Sequence, residues 1–210
     1  MTRKIAFFDF DDTLVDCQSI TILWKFAIKK QPYLIIYLFV QLLIGIIKYI
    51  FTFNFSHIKT SMVSLLKFLS EEDLKFFANN ILNPKYFYRD GIKELEKFGD
   101  DYLKFLVSAS PLNYMKYFKE ILSFDYIIAT ELDENFKIKS KNNSGHQKVL
   151  NINKYLDELN IKIDYENSYC YTDNYKADRF MANLVANKFL INSKLKVSGF
   201  KNLYWKETLR

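Results

Sequence analysis

Three carboxylates are crowded into the stretch FFDFDDTL at residues 7–14. Asp9, Asp11 and Asp12 come directly behind KIAFF, an apolar and aromatic run that is typical of a buried strand. Carboxylates this close together repel one another, and at least one of their pKa values rises strongly unless a cation neutralises them. Such crowding at the end of a strand indicates a chemical site.

Two further polar side chains follow strand-like runs in the same way. Ser108 comes after YLKFLV, and Asp173 comes after NSYCYT. In α/β proteins the carboxyl ends of parallel strands meet at one edge of the sheet, where ligands bind, so we expect Asp9, Ser108 and Asp173 to lie together. Because clustered carboxylates need a cation and hard oxygen ligands favour Mg²⁺, the set predicts a bound magnesium ion.

The elements that must position these residues alternate between strand and helix patterns. The predicted strands are KIAFF, YLKFLV, YIIAT at residues 126–130, NSYCYT and KFLIN at residues 188–192. The predicted helices are SEEDLKFFANNIL with capping residues Ser70 and Asp73, SPLNYMKYFKEIL with Ser110 as N-cap and Pro111 at the first helical position, and KVLNINKYLDEL. The alternation predicts an α/β fold, a Rossmann-like open parallel sheet with helices on both faces.

Composition narrows the classes of function. The chain has 210 residues, of which 50% are hydrophobic, and a net charge of +6. Its lysines are dispersed, so we expect no nucleic-acid partner; an anionic substrate or an anionic membrane surface accounts for the charge as well. Cys17 and Cys170 have neither disulfide nor metal-site spacing, and the start MTRKIAFFDF does not complete a signal peptide. We therefore expect free thiols, a mature chain that begins here and a cytoplasmic location.

Four motifs in this order resemble the haloacid dehalogenase-like superfamily, specifically its phosphoserine phosphatase-like branch, subfamily IB. The resemblance spans residues 5 to about 205. Its motifs are Asp9-Phe10-Asp11-Asp12-Thr13 after the first strand, Ser108 in FLVSAS, Lys148 in SGHQKVL, and the acidic pair Asp173 and Asp178 in YTDNYKADRF. The resemblance implies a phosphoric monoester hydrolase that uses Mg²⁺.

The resemblance also implies a role for each residue at the reacting phosphate. Asp9 is implied to be the nucleophile that forms an aspartyl-phosphate intermediate. Asp11 is implied to be the general acid for the leaving alkoxide and then the base for the attacking water. Ser108 and Lys148 are implied to bind the phosphoryl oxygens.

The metal ligands follow from the same resemblance. They are the carboxylates of Asp9 and Asp173 and the backbone carbonyl of Asp11, which together hold Mg²⁺ against the substrate phosphate. Asp178 is expected to stabilise the position of the metal or of Lys148 without being one of the direct metal ligands. The retained acid at Asp11 favours phosphate-ester chemistry over dehalogenation.

The order of motifs in the family implies a helical cap inserted between the first two strands. We expect residues 1–15 and 87–210 to form the catalytic core and residues 16–86 to form the cap, a C1-type insertion. Helical patterns occur in three parts of this segment: ILWKFAIKK, the uncharged run QPYLIIYLFVQLLIGII at residues 31–47, and HIKTSMVSLLKFL.

Caps select the leaving group, and the apolar run leaves two substrate classes open. The favoured substrate is a small amino-alcohol phosphate such as phosphoserine or phosphoethanolamine, free or attached to a sugar in cell-surface glycan synthesis, with the apolar run buried by its partner helices. The alternative is a lipid phosphate, similar to phosphatidylglycerophosphate, with residues 31–55 against the inner face of the membrane. The apolar run is short for a bilayer span. The sequence indicates no particular oligomeric state.

A second function class is a phospho-acceptor or binding module that uses the same pocket without turnover. The presence of Asp11 argues against it, because a non-turnover domain needs no acid for a leaving group. Asp12, Cys17 and His57 have no assigned role, and His146 is expected to be a polar loop residue beside the site.

Replacing Asp11 tests its assignment as the acid. Asp11→Asn should lower kcat severely for alkyl phosphates, whose alkoxides need a proton, and less severely for an activated aryl phosphate. The measurement is kcat/KM on both kinds of ester with Mg²⁺. Equal losses on the two esters would contradict the acid role.

Overall fold

The computed structural model describes residues 1–206 and 208–209. A seven-stranded sheet forms its centre, in the order β3-β2-β1-β5-β6-β7, and β4 pairs with the beginning of β1. All of the pairings are parallel. The strands are β1 Thr2–Phe8, β2 Tyr102–Pro111, β3 Tyr126–Thr130, β4 Lys162–Ile163, β5 Tyr169–Thr172, β6 Asn187–Ile191 and β7 Phe200–Leu203. The predicted parallel α/β sheet is confirmed, although β4 and β7 were not predicted.

The central strand β1 is buried on both faces because its residues alternate between two cores. Ile5 and Phe7 pack in one core with Ile152, and Ala6 and Phe8 pack in the other. A strand covered on both sides needs an unbroken apolar run, which is what KIAFF supplies. This burial holds the end of β1, and therefore the residue that follows it, in a fixed place.

Only helices lie between β1 and the strand β2 that it pairs with. They are α1 Ser19–Lys30, α2 Leu34–Thr52, α3 Ser56–Val63, a 3-10 helix Ser64–Phe68, α4 Glu71–Phe76, a π-helix Phe77–Leu82 and α5 Arg89–Glu96. Ser70 and Asp73 form the expected capping box at the start of α4. An antiparallel bridge joins Val15 to Phe87, where the chain leaves the sheet region and returns to it. The boundaries of the cap at residues 16–86 stay a prediction.

The later helices are α6 Leu112–Met115, α7 Phe118–Ile121, α8 His146–Glu158 and α9 Tyr175–Ala182. The prediction of Ser110 as an N-cap with Pro111 inside the helix was wrong, because β2 continues to Pro111. Ser110 is instead buried, and its side chain takes part in the site described below. His146 opens α8 rather than lying in a loop, and its ring packs edge-on against Phe180.

The long helix α2 departs most from expectation. The prediction that partner helices bury its apolar side chains was wrong, because only Leu34, Leu38 and Gly45 of α2 are buried. At Gly45 the missing side chain lets α3 approach closely: a Cβ there would touch the Ser61 side chain and lie 3.0 Å from the His57 carbonyl oxygen. By length and composition α2 could cross a membrane, although such a helix alone is weak evidence of a span.

Adding a side chain at Gly45 tests this packing. Gly45→Val should destabilise the protein by about 2 kcal/mol, because the new methyl groups overpack the α2–α3 contact and valine brings little helix propensity to compensate. The measurement is the free energy of unfolding in urea. The control Ile46→Val alters an exposed neighbour and should change stability by less than ~0.5 kcal/mol. Equal effects of the two changes would contradict the close packing.

Candidate active site

Three adjacent strands bring the predicted polar residues together. Asp9 follows β1, Asp173 follows β5, and Ser108 lies near the end of β2, where the pairing with β3 becomes irregular. All three line one cavity, which Asp11, Lys148 and Asp178 also line. Ser108 is buried, and its hydroxyl oxygen accepts a hydrogen bond from the backbone N–H of Ser110 at 3.0 Å. The convergence expected from the strand pattern is therefore present.

A buried lysine connects the two sides of this cavity. Lys148, in the first turn of α8, donates a hydrogen bond to Asp9 Oδ1 at 2.8 Å and lies 2.7 Å from Asp178 Oδ1. Thr172 donates to the other oxygen of Asp178 at 2.6 Å. Lys148 and Asp178 are both almost fully buried. Of the two roles left open for Asp178, the structure shows the contact with Lys148.

The charges of this triad do not cancel, since two carboxylates surround one ammonium group. Burial raises the pKa of Asp9 well above its usual range, and the nearby ammonium of Lys148 offsets only part of that shift. Burial by itself lowers the pKa of Lys148, but the carboxylates of Asp178 and Asp9 outweigh burial and raise it. The lysine therefore stays charged, and ionising the second carboxylate beside it is costly unless a further cation is bound.

Asp11 has a different environment, made of hydroxyls and a backbone N–H. Its Oδ1 accepts from the N–H of Ser19 at 2.6 Å, and its Oδ2 accepts from the hydroxyl of Ser110 at 2.5 Å. The Ser19 hydroxyl in turn contacts those of Ser110 and Tyr114. Burial raises the pKa of Asp11, while the bonds from Ser110 and Ser19 act in the opposite direction. Nothing in the sequence indicates Ser19 or Tyr114, and its pattern predicts Ser110 to be a helix cap, because hydroxyl residues in turns are too common to stand out.

Asp12 shapes the loop without entering the triad. Its backbone φ is 54°, in the left-handed region that most side chains avoid. Its carboxylate accepts a hydrogen bond from the side-chain amide of Gln18. A short polar residue tolerates this conformation better than a bulky one. The expectation that Asp12 takes no part in catalysis stays a prediction.

The oxygen atoms at this edge of the sheet are suitable ligands for a magnesium ion. The carboxylate of Asp173 accepts a hydrogen bond from Thr13, and burial, with the nearby charges of Asp12 and Asp178, raises its pKa to about 6. Among the described residues no three His, Cys, Asp or Glu side chains form a metal site by themselves. Asp9 and Asp173 would therefore need the Asp11 carbonyl and water as further ligands, an oxygen set that Mg²⁺ accepts.

A second cavity adjoins the first at Asp11 and extends toward α3. Lys59 lines it, although nothing in the spacing of the sequence places this residue near Asp11. With the Asn142 amide oriented so that all its atoms have partners, the amide oxygen accepts from Lys59 Nζ at 2.6 Å. Burial lowers the pKa of Lys59, and the charge of Lys148 lowers it further.

Comparison with known proteins gives one family match and several structures of similar fold. A family model described as haloacid dehalogenase-like hydrolase matches residues 6–182. Among solved structures, one of a phosphoserine phosphatase as a phospho-aspartyl intermediate analogue is 22% identical with a TM-score of 0.60, and the alignment covers 100% of this chain and 96% of that chain. A protein of unknown function from Bordetella pertussis Tohama I is 16% identical with a TM-score of 0.72, over 92% of each chain.

A third solved structure is of a protein from Bacillus subtilis described as a HAD-hydrolase bound to magnesium. It is 12% identical with a TM-score of 0.55, over 97% of this chain and 95% of that chain. A search of curated proteins gives no significant match. At these identities the structural likenesses show the fold alone.

Replacing Asp173 or Asp178 by asparagine should change the stability of the metal-free protein in opposite directions. Because the pKa of Asp173 is raised to about 6, its charge destabilises the metal-free fold as the pH rises from about 4 to 6. Asp173→Asn should therefore stabilise the metal-free protein at pH 7 by about 1–2 kcal/mol and abolish stabilisation by added Mg²⁺. Asp178→Asn should destabilise it by at least ~2 kcal/mol, because it removes a partner of buried Lys148.

Thermal unfolding with and without Mg²⁺ measures both effects. A loss of stability in Asp173→Asn, or a full magnesium response in that variant, would contradict the placement of Asp173 as a strained metal ligand.

Proposed function

The chain belongs to the haloacid dehalogenase-like hydrolase family, and we propose that it is a Mg²⁺-dependent phosphomonoesterase that works through an aspartyl-phosphate on Asp9. The observation that carries this proposal is the buried triad of Asp9, Lys148 and Asp178 beside Asp173. A lysine held at this place offers positive charge to a phosphoryl group that lies against Asp9.

Asp9 is suited to attack phosphorus. Its Oδ1 is fixed by Lys148, while Oδ2 accepts no hydrogen bond from any described residue, so we assign Oδ2 as the attacking atom. Attack forms a bond between Oδ2 and phosphorus and breaks the bond from phosphorus to the ester oxygen. A bound Mg²⁺ would screen the repulsion between the anionic carboxylate and the anionic phosphate.

Asp11 completes the two half-reactions. The departing alkoxide takes the proton of Asp11, whose raised pKa favours the protonated form before attack. The resulting carboxylate then takes a proton from the water that hydrolyses the aspartyl-phosphate, which releases phosphate and restores both aspartates. A binding module without turnover would not need an acid held by Ser19 and Ser110, so these contacts support an enzyme.

The second cavity is where we place the leaving group, because the ester oxygen must lie beside Asp11 to receive its proton. Among the residues that line this cavity, only Asp11 and Lys59 have acidic or basic side chains, and Asp11 is the proton donor. No carboxylate forms an ion pair with Lys59 in the described part of the chain. We infer that the leaving group itself supplies the counter-charge, as a carboxylate or a phosphodiester.

An anionic leaving group favours some of the substrates expected from the sequence and disfavours others. Phosphoserine has a carboxylate and phosphatidylglycerophosphate has a phosphodiester, so either can pair with Lys59. Phosphoethanolamine has a cationic leaving group, which Lys59 would repel. Fold likeness to a phosphoserine phosphatase supports the small substrate. The exposed apolar face of α2 supports the lipid phosphate as the second candidate.

The covalent step is tested by trapping. Acid quenching during turnover of an aryl phosphate should leave one phosphoryl group on the peptide that contains Asp9, detected by mass spectrometry, only when Mg²⁺ is present. Asp9→Asn should remove the label and lower kcat by at least ~10³. A label on another residue, or more than a tenth of the activity in Asp9→Asn, would refute the nucleophile.

The role of the Lys59 charge is tested by comparing kcat/KM for two substrates, one with a carboxylate in its leaving group and one without. For the wild type, kcat/KM should be higher for 3-phosphoglycerate than for glycerol 3-phosphate, since the two differ in the carboxylate. Lys59→Met should lower this ratio at least ~10-fold by removing a charge-assisted contact, and Lys59→Arg should keep most of it. The control Lys25→Met removes an exposed cap lysine. An equal loss on both substrates would show that Lys59 serves the transferred phosphate instead.

A further inference from the structure

Helix α2 presents a continuous apolar surface to solvent. Seven exposed side chains recur on its outer side at helical spacing: Ile36, Phe39, Val40, Leu43, Ile46, Ile47 and Ile50. Lys48 is the only charged residue of the helix. A soluble monomer rarely leaves a patch of this extent uncovered, so a partner is expected on this face.

The charge around α2 indicates what that partner is. Between Asp16 and Glu71 the chain has no acidic residue but has six lysines: Lys25, Lys29, Lys30, Lys48, Lys59 and Lys67. The whole net charge of +6 therefore resides in this segment, and the rest of the chain is balanced. Lys59 faces the cavity of Asp11 and Lys30 is paired with Asp73, but Lys25, Lys29, Lys48 and Lys67 are exposed. Because this segment has no carboxylate, anionic lipid headgroups can attract the exposed lysines while the acyl chains accept the apolar side chains of α2.

Aromatic residues mark the two ends of this face. Tyr33 precedes α2, and Phe51, Phe53 and Phe55 lie at its other end, all of them exposed. Aromatic side chains at the ends of an apolar helix suit the headgroup level of a bilayer. Tyr33 contacts Phe68, and Phe53 and Phe55 contact Tyr49, yet each of these three keeps more than half of its surface exposed.

The packing of α3 decides between lying in the membrane and crossing it. Gly45 of α2 contacts Ser61 and the His57 carbonyl of α3, so α3 runs back along the second half of α2. If α2 crossed the bilayer, polar residues of α3 such as Ser56 and Lys59 would enter the hydrocarbon region with it. At ~1.5 Å per residue, α2 is also slightly shorter than the ~30 Å hydrocarbon core.

We propose that the outer face of α2 docks on an anionic lipid bilayer, with the helix lying in the interface and α3 on the protein side. This docking does not depend on the chemistry proposed for Asp9. It brings the cavity that Lys59 and Met62 of α3 line close to the lipid headgroups.

Vesicle flotation of the full chain tests the proposal. The protein should float with vesicles of phosphatidylglycerol and phosphatidylcholine, bind phosphatidylcholine alone at least ~10-fold less, and be released by high salt and by alkaline carbonate. Ile47→Glu should reduce flotation at least ~10-fold. Leu195→Glu is the matched control, because Leu195 is 51% exposed and Ile47 is 52% exposed.

Each other outcome overturns the proposal. Resistance to carbonate would show a spanning helix. Absence of flotation together with a stable dimer in sedimentation would show that a second copy covers the face, and absence of both would leave the face without the lipid partner assigned to it. Hydrolysis of an aryl phosphate, measured on the same sample, separates failure of docking from failure of the proposed chemistry.

Discussion

The buried ammonium of Lys148 is the interaction on which the rest of the site depends. It comes from α8, and it is held between a carboxylate that follows β1 and a carboxylate of α9. Breaking either contact would leave a charge without compensation inside the protein, which costs far more than an exposed ion pair. The three elements are therefore fixed relative to one another.

The two aspartates of the first motif show how neighbouring carboxylates acquire different chemistry. Asp9 contacts a cation, which favours its ionised form and suits it to the proposed role of nucleophile once a metal ion is bound. Asp11 accepts hydrogen bonds from Ser19 and Ser110 and forms no ion pair with any described residue. Burial therefore favours its neutral form, which suits it to the proposed role of proton donor. The difference comes from tertiary contacts rather than from the residue type.

The sequence predicts the sheet and its polar edge because both follow from local patterns: unbroken apolar runs for buried strands and a polar residue where each run ends. It does not predict the hydroxyl contacts of Asp11, since the Ser110 side chain meets that carboxylate across a separation of 99 residues. It could not place Lys59 beside the site, and it misjudged α2. A uniformly apolar helix has the same sequence whether or not the rest of the chain covers it, so only the exposure of its side chains in the folded chain distinguishes the two cases.

The cap thus has two chemically distinct sides, one with Lys59 toward Asp11 and one with apolar side chains toward solvent. The central claim is that Asp9, Lys148 and Asp173 form one phosphoryl site. A crystal structure with Mg²⁺ and beryllium fluoride tests it most directly. We predict beryllofluoride on a carboxylate oxygen of Asp9, the metal between Asp9 and Asp173, and Lys148 in contact with both a fluoride and Asp178. Beryllofluoride on another residue, or a metal bound at Asp178 with Lys148 displaced, would contradict this account.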